Sequence, residues 1–278
     1  MHQYQIGLAL SKSLGFTIEE GFELLKKHGI EATFTGLGTP EERRGWAENC
    51  AKYGITYSSI HAPFKRAADM WEDTLEGEEG ERELIESIDA CVEVGAPIAV
   101  IHPIIGFDKH TPTPIGLERY RRVAEYAAKK NIKAAIENVE GEEYLHYLMD
   151  GLRDYESIGF CLDTGHEVCY NRGRDLLADY GDRLCYLHIN SNMGVTSPEG
   201  IITYRDDAHM LPFDGKANME FLVERLKKHA YKGVLMMELS RGNHKERNTN
   251  DRYLAMTDDE YIAEAAARIK KIRDMMEN

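Results

Sequence analysis

The stretch IGFCLDTGH, residues 158–166, is an apolar run of strand length that ends on Asp163 and is followed by His166. Other apolar runs also end directly before a histidine or a glutamate. They are 57–60 before His61, 98–101 before His102, 134–136 before Glu137, 185–187 before His188 and 234–237 before Glu238. In a parallel α/β barrel the C-terminal strand ends meet on one face, where active sites are built. The pattern therefore predicts a barrel enzyme with a metal centre of carboxylates and imidazoles at its mouth.

Strand-like and helix-like segments alternate along the chain, which predicts a single (β/α)₈ TIM-barrel domain over residues 1–278. The expected strands are 4–10, 32–35, 56–60, 98–102, 133–137, 158–163, 184–190 and 234–239. The expected helices are 17–28, 40–53, 81–94, 113–130, 142–149, 175–180, 219–229 and 258–275. Two long loops, 62–80 and 191–215, follow strands, so they are expected on the catalytic face.

Composition narrows the class of protein. The 278 residues are 42% hydrophobic, enough for a large core, while the apolar stretches fall short of the roughly 20 residues that span a bilayer. Residues 1–5 lack the features of a signal peptide, and the five cysteines show no CxxC spacing. Both features predict a cytoplasmic protein with reduced thiols. The formal charge of −14 disfavours nucleic acid as a partner, because such binding needs many cationic contacts to phosphates.

Four candidate ligands would point into one mouth from strands five to eight: Glu137, Asp163, His188 and Glu238. Three carboxylates and one imidazole suit Mn²⁺, Zn²⁺, Co²⁺ or Mg²⁺. Such an ion could polarise two vicinal oxygens of a substrate as a Lewis acid. A strand-end cap or a surface salt bridge is the simpler interpretation of any one of these acids, whereas four in phase favour a metal centre.

Histidines are concentrated in the same places. Five of them lie at strand ends or in the loops just after them: His61, His102, His166, His188 and His209. The remaining histidines, at positions 2, 28, 110, 146, 229 and 244, are expected on helix surfaces or in loops. The spacings from Asp163 to His166 and from Asp207 to His209 each set an acid beside an imidazole. A second metal or a proton relay would need such pairs.

Aromatic and cationic residues in the catalytic-face loops are candidates for substrate contacts. The aromatic candidates, which could form apolar walls against a sugar ring, are Phe64, Trp71, Phe107 and Phe213. The cationic candidates are Arg205, Lys216 and Arg241. Loops that pack on themselves and solvated surface charge are the alternatives. The chain has no GxGxxG, GxxxxGK[ST] or GxSxG motif, so nucleotide-binding and serine-hydrolase hypotheses lack support.

The motifs at these positions resemble those of the xylose isomerase-like TIM-barrel superfamily. This superfamily holds sugar isomerases and epimerases, inosose dehydratases and DNA-repair enzymes of the endonuclease IV type. The resemblance covers the whole chain in the right order. The motifs that carry it are IHAPF (60–64), VIHP (100–103), IEN (136–138), CLDTGH (161–166), LHIN (187–190), DAHMLPFDG (207–215) and MELS (237–240).

Resemblance to the ketose 3-epimerase branch implies one metal ion held by Glu137, Asp163, His188 and Glu238. It implies that the two glutamates exchange a substrate proton from opposite faces, through a metal-stabilised enediolate. It also implies that His166 is catalytic and holds a substrate oxygen. The expected substrate-binding residues are His61, His102, Phe64, Trp71, Phe107, Arg205 and Arg241.

Resemblance to the endonuclease IV branch instead implies three zinc ions. The nine ligands with counterparts here are His61, His102, Glu137, Asp163, His166, His188, Asp207, His209 and Glu238. The departures favour the sugar branch, because Gly165 and Ala208 stand where the repair enzymes typically carry cysteine and arginine. The end of loop 191–215 is similar to the LPGxG turn of sugar-epimerase relatives, with Phe213 replacing a glycine.

The sequence thus predicts a metal-dependent sugar or sugar-phosphate isomerase/epimerase. Its expected partners are a small sugar or sugar phosphate and one divalent metal ion (Mn, Zn, Co or Mg), with ligands for up to three. The alternative is a three-zinc phosphodiesterase or abasic-site nuclease, and a third hypothesis is a non-catalytic barrel that senses a sugar. A homo-oligomer is expected from the resemblance alone.

Overall fold

A computed structural model describes residues 2–108 and 111–278, and its strands confirm the predicted (β/α)₈ TIM barrel. The strands are β1 Ile6–Leu8, β2 Ala32–Gly36, β3 Thr56–His61, β4 Ile98–Ile101, β5 Lys133–Glu137, β6 Ile158–Asp163, β7 Leu184–His188 and β8 Leu235–Met237. They form one parallel sheet in the order β7-β6-β5-β4-β3-β2-β1-β8. A parallel bridge between Ile189 and Met237 joins the two edges of that sheet.

The helices pack around this barrel. They are α1 Ile18–His28, α2 Pro40–Tyr53, α3 Leu75–Val94, α4 Pro114–Lys130, α5 Glu142–Gly151, α6 Thr164–Cys169, α7 Leu176–Tyr180, α8 Met219–Lys228, α9 Asp251–Leu254 and α10 Asp258–Glu277. Thr17, Thr39 and Thr113 cap α1, α2 and α4 by accepting a backbone N–H of the first turn. In the part of the chain that is described, no helix combines the length and the apolar character needed to cross a bilayer.

Helix α3 begins inside the predicted loop 62–80. Thr74 caps it, with the Gly77 amide donating to Thr74 Oγ1 over 3.1 Å. Gly77 is a packing residue here, because a Cβ at this position would lie 2.4 Å from both Asp69 O and Arg119 Nη1. Other strand and helix ends differ from prediction by a few residues, and the short helices α6 and α9 were not predicted.

The barrel interior is closed beneath its mouth. Phe34, Tyr186 and Met236 are buried there, and Tyr186 Oη shares a 2.5 Å hydrogen bond with Ser58 Oγ. The Phe34 ring stacks on the imidazole of His188, with 4.8 Å between ring centroids. These packed side chains fill the barrel interior, so the mouth of the barrel is a closed pocket and not a channel.

Trp71 belongs to the core, which corrects its predicted place in the wall of the active site. Its indole is 2% exposed and donates from Nε1 to Pro103 O over 2.7 Å. The ring lies so close to α4 that a Cβ at Gly116 would come within 2.2 Å of it. Trp71 was predicted to contact the substrate because it lies in a catalytic-face loop. Packing this large apolar ring against helix α4 is favourable, so the ring is buried there.

Replacing Trp71 with Ala is expected to lower the free energy of unfolding by about 3–5 kcal/mol, because a large cavity would open in the core. Urea denaturation measures the change. Leu75→Ala is the matched control: Leu75 is 76% exposed, so its loss should change stability by no more than about 0.5 kcal/mol. Equal effects for the two variants would contradict a core role for Trp71.

Candidate metal centre and active site

The structure places all nine predicted ligands at one end of the barrel. Glu137, Asp163 and His188 are the last residues of β5, β6 and β7, and Glu238 directly follows β8. Of the other candidate ligands, His61 ends β3, His102 directly follows β4 and His166 lies in α6, just after β6. Asp207 and His209 lie in the loop after β7. Because parallel strands end at the same edge, residues far apart in sequence meet here.

Four of these residues form a compact set, called here the four-residue cluster: Glu137, Asp163, His188 and Glu238. Their ligand atoms all lie within 4.8 Å of one another. His188 Nδ1 is 3.2 Å from Glu137 Oε1 and 2.9 Å from Glu238 Oε2, yet neither nitrogen of His188 makes a hydrogen bond, nor does Glu137 Oε1. Buried polar atoms without partners are costly, and a cation shared by Glu137 Oε1 and one nitrogen of His188 would satisfy both of those atoms.

The remaining ligands gather beside this cluster. His61 Nε2 and His102 Nε2 lie 3.3 and 3.4 Å from Glu137 Oε2. Asp207 Oδ2 lies 3.1 Å from His166 Nε2 and 3.0 Å from His209 Nε2. Two further groups of potential metal ligands therefore overlap the four-residue cluster: His61 and His102 with Glu137, and His166 and His209 with Asp163.

Three of the histidines have the hydrogen bonding that orients metal ligands. The Nδ1 atoms of His61, His166 and His209 lie 2.9, 2.8 and 3.1 Å from the backbone carbonyls of Ala62, Asn138 and Glu238. These contacts direct each Nε2 into the site, where it lies within 3.3 Å of a carboxylate oxygen of Glu137 or Asp207. Imidazoles that bind metal are commonly held in this way.

The electrostatics also favour a bound cation. Burial would raise the pKa of the Glu137 carboxyl, but the charge of His188 and contacts from His102 hold that pKa well below its usual value. Burial is likewise outweighed at Glu238, where His188 lowers the carboxyl pKa to about 2. The carboxylates in turn raise the pKa of buried His188 well above its ordinary value. An imidazolium thus balances the buried carboxylate of Glu137 and the half-buried carboxylate of Glu238, a role that a divalent cation would take over.

Asp163 is oriented by groups on both of its oxygens. Asn190 Nδ2 donates to Oδ2 and the His166 amide donates to Oδ1, each over 2.7 Å. The second contact makes Asp163 the N-cap of α6. Burial raises the pKa of this carboxyl to about 6, although His166 partly offsets the effect.

Asn192, which was not among the predicted site residues, positions the loop that carries Asp207 and His209. Its Oδ1 accepts the amides of Ala208 and His209 over 2.6 and 3.0 Å. Its Nδ2 donates to Asp207 Oδ1 over 3.1 Å. One buried side chain therefore holds both ligands of this loop.

Asn192→Ala is expected to lower the free energy of unfolding by about 1–3 kcal/mol, because two buried amides would lose their acceptor. Urea denaturation of the variant and the parent measures it. Asn248→Ala, at an exposed loop position, should stay within about 0.5 kcal/mol of the parent. An Asn192 variant as stable as the control would rule out this role.

Seven of the nine candidate ligands line a cavity of about 260 Å³, called here the inner pocket, whereas Asp163 and His188 do not. This volume lies just below the usual range for small-molecule sites, roughly 300–1,000 Å³. Phe64 forms one wall, its ring stacked on the His102 imidazole with 4.5 Å between centroids. Phe107 lies at the rim and is 42% exposed. Both aromatic residues thus lie where they could contact a small substrate.

Several pocket residues were not predicted as site residues: Glu140, Tyr170, Tyr204 and His244. Tyr170 lies one helical turn after His166, and its ring packs on that imidazole with 4.9 Å between centroids. That spacing was a usable signal, but it required α6 to be predicted. Tyr204 lies in a single 3₁₀ turn and the others in loops, and such short segments have no periodicity to mark the side chains that face inward.

Other candidates are engaged elsewhere. Arg241 is buried and donates to the carbonyls of Leu14 and Tyr253, so it ties loops together. Arg205 pairs with Glu246 over 2.7 Å. The ring of Phe213 lies under Lys271, with Nζ 3.9 Å from its centroid. None of these residues lines the inner pocket, and His110 lies outside the described residues.

Comparison with known proteins places this geometry in context. A family model described as xylose isomerase-like TIM barrel matches residues 9–272. One curated relative, the uncharacterized protein y4fM of Sinorhizobium fredii (strain NBRC 101917 / NGR234), is 26% identical over 203 residues, which are 68% of this chain. The match covers 58% of that relative, so the chain spans little more than half of its length.

Solved structures share the fold over nearly the full chain. A xylose isomerase domain protein from Planctomyces limnophilus has a TM-score of 0.73 at 17% identity, covering 99% of this chain and 98% of its own. D-allulose 3-epimerase from Methylomonas sp. in complex with D-allulose scores 0.71 at 16% identity, covering 97% and 98%. The IolI protein with a bound zinc atom scores 0.74 at 17% identity, covering 98% of each chain. At such identities the likeness is one of fold.

Proposed function

Because the chain belongs to the xylose isomerase-like TIM-barrel family, we propose that it is a metal-dependent sugar isomerase or epimerase. The observation that carries this proposal is the four-residue cluster, whose ligand atoms lie within 4.8 Å of one another. Two of its carboxylates, those of Glu137 and Glu238, line a small pocket. The similar fold of a D-allulose 3-epimerase supports a sugar as the substrate class.

The residues of the cluster fit a divalent cation. Three carboxylates and an imidazole are suitable ligands for it, and the partnerless atoms of Glu137 and His188 give it a place. Glu137, Asp163, His188 and Glu238 would hold the ion. When bound, it would supply Lewis-acid polarisation of vicinal substrate oxygens.

The chain's own residues would move the proton. Glu137 and Glu238 have lowered pKa values, burial notwithstanding, so both are ionised at neutral pH and ready to act as bases. One would remove the proton from the carbon beside the carbonyl and become protonated. The other would take up a proton from solvent and deliver it to the neighbouring position or the opposite face. His166 lines the same pocket and would hold a substrate oxygen, and Phe64 would form an apolar wall beside it.

Proton exchange with solvent tests this proposal most directly. The protein supplied with Mn²⁺ would be incubated in D₂O with free ketoses and with their phosphates. NMR should show deuterium entering at the carbon beside the carbonyl of at least one sugar. Complete retention of that hydrogen across the panel would overturn the proposal.

A second candidate function is phosphodiester cleavage by a three-metal centre. The observation that favours it is the pair of neighbouring ligand groups, one containing His61 and His102 and the other His166 and His209. A one-ion sugar enzyme needs neither group as ligands. Incision of a duplex with an abasic site, in the absence of any sugar, would favour this candidate over the first.

A further inference from the structure

A second cavity borders the inner pocket and shares four lining residues with it. It has a volume of about 450 Å³ and is called here the outer chamber. The residues that line both spaces are Gly106, Phe107, Glu140 and Tyr170. The outer chamber is the larger of the two, so a ligand that reaches the four-residue cluster has room for a second group beyond it.

The charge of the outer chamber disfavours an anionic group. Three carboxylates line the outer chamber, those of Asp108, Glu140 and Glu143. Arg172 is the one cation among its described lining residues. Arg172 Nη2 already donates to Gly200 O over 3.1 Å. The three carboxylates outnumber this one guanidinium, so a phosphate would be repelled in the outer chamber. The carboxylates can accept hydrogen bonds from hydroxyl groups, although Glu140 Oε1 already accepts the Gly106 amide over 2.6 Å.

The apolar part of the lining suits the faces of a sugar ring. Phe107 is 42% exposed at the boundary of the two spaces, and its ring packs edge-on against Tyr170. Ile201 is 60% exposed on the outer side. A neutral sugar ring can pack its apolar faces against these side chains and donate hydrogen bonds from its hydroxyl groups to the carboxylates beside them.

Building on the proposed sugar chemistry, we propose that the outer chamber binds a neutral glycosyl substituent on a ketose substrate. The ketose carbons would lie in the inner pocket, at Glu137 and Glu238. The second ring would lie between Phe107 and Ile201, with its hydroxyls toward Glu140 and Glu143. The substrate class is thus a ketose-containing disaccharide, in preference to a sugar phosphate.

Binding of three matched sugars tests this inference. The probes are D-fructose, isomaltulose (fructose with a glucosyl group on O6) and D-fructose 6-phosphate, titrated calorimetrically into the full chain supplied with Mn²⁺. Isomaltulose should bind about tenfold more tightly than fructose, which corresponds to ~1.4 kcal/mol. The phosphate should bind more weakly than fructose.

Two variants connect the expected preference to the chamber. Ile201→Trp should fill the chamber and remove the gain for isomaltulose while leaving fructose binding unchanged. Glu143→Lys should tighten binding of the phosphate. Leu254→Trp and Glu220→Lys are the matched controls, since both residues are exposed and line neither space, and both should behave like the parent.

The outcomes separate this inference from the proposed function. If fructose binds as tightly as isomaltulose, or the phosphate binds most tightly, the outer chamber does not select a glycosyl group, and the sugar chemistry is unaffected. If none of the three sugars binds and no ketose exchanges its hydrogen in D₂O, the proposed function fails and takes this inference with it.

Discussion

Glu238→Gln and Glu137→Gln are each expected to lower turnover by about 10²- to 10⁴-fold, the usual contribution of a positioned acid or base. The amide keeps the shape of the side chain but cannot take up a proton at neutral pH. Both carboxylates line the inner pocket, and both lie within 3.2 Å of His188 Nδ1, so each can reach the same substrate. The measurement is initial rate on the sugar that exchanges its hydrogen in D₂O.

Glu220→Gln is the control, because this exposed residue in the first turn of α8 touches none of the site. Metal content must be measured beside activity, since a glutamine is also a poorer ligand. A variant that keeps its metal and loses turnover supports the acid/base role. Full activity in both variants at the four-residue cluster would contradict it.

Removal of the metal is expected to abolish turnover and to lower thermal stability. An ion present at 100 times its dissociation constant adds about 2.7 kcal/mol to the stability of the folded state. Without it, the carboxylates of Glu137 and Glu238 are balanced by neighbouring histidines alone, chiefly His188. Treatment with EDTA followed by dialysis should therefore lower the melting temperature, and Mn²⁺ should restore it.

Metal content by plasma mass spectrometry, on protein purified without chelators, completes this test. We expect about one ion per chain. About three tightly held zinc ions would mean that the groups at His61 and His166 are also filled, and phosphodiester cleavage would become the better hypothesis. A melting temperature indifferent to EDTA and to added metal would contradict a metal centre at the cluster.

The barrel could be predicted because its signals are local and repeated. Each buried strand is a short apolar run, and threonine caps such as Thr17 and Thr39 mark where helices begin. The start of α3 escaped prediction because Gly77 in a sequence usually indicates a loop. Only the packed structure shows that Arg119 leaves no space there for a side chain.

The site was predictable to the extent that strand ends supply it. Glu137, Asp163 and His188 end their strands, so position alone brings them together. Loop residues have no such constraint. The side-chain chemistry of Trp71 and Arg241 predicted substrate contacts. Both side chains are instead buried by tertiary packing, and neither lines the inner pocket. Asn192 was not predicted, because a single asparagine in a sequence does not indicate that its amide will position two candidate ligands, Asp207 and His209.

Asp163 has a wider consequence, because its carboxylate belongs to the cluster and to the first turn of α6 at once. The first turn of α6 and Asn190 together fix the rotamer of this proposed ligand, so we expect little conformational freedom to be lost when an ion binds. Grafting the cluster into another barrel would therefore require the transfer of α6 as well. The transferable unit is a strand, its terminal acid and the helix that rests on it.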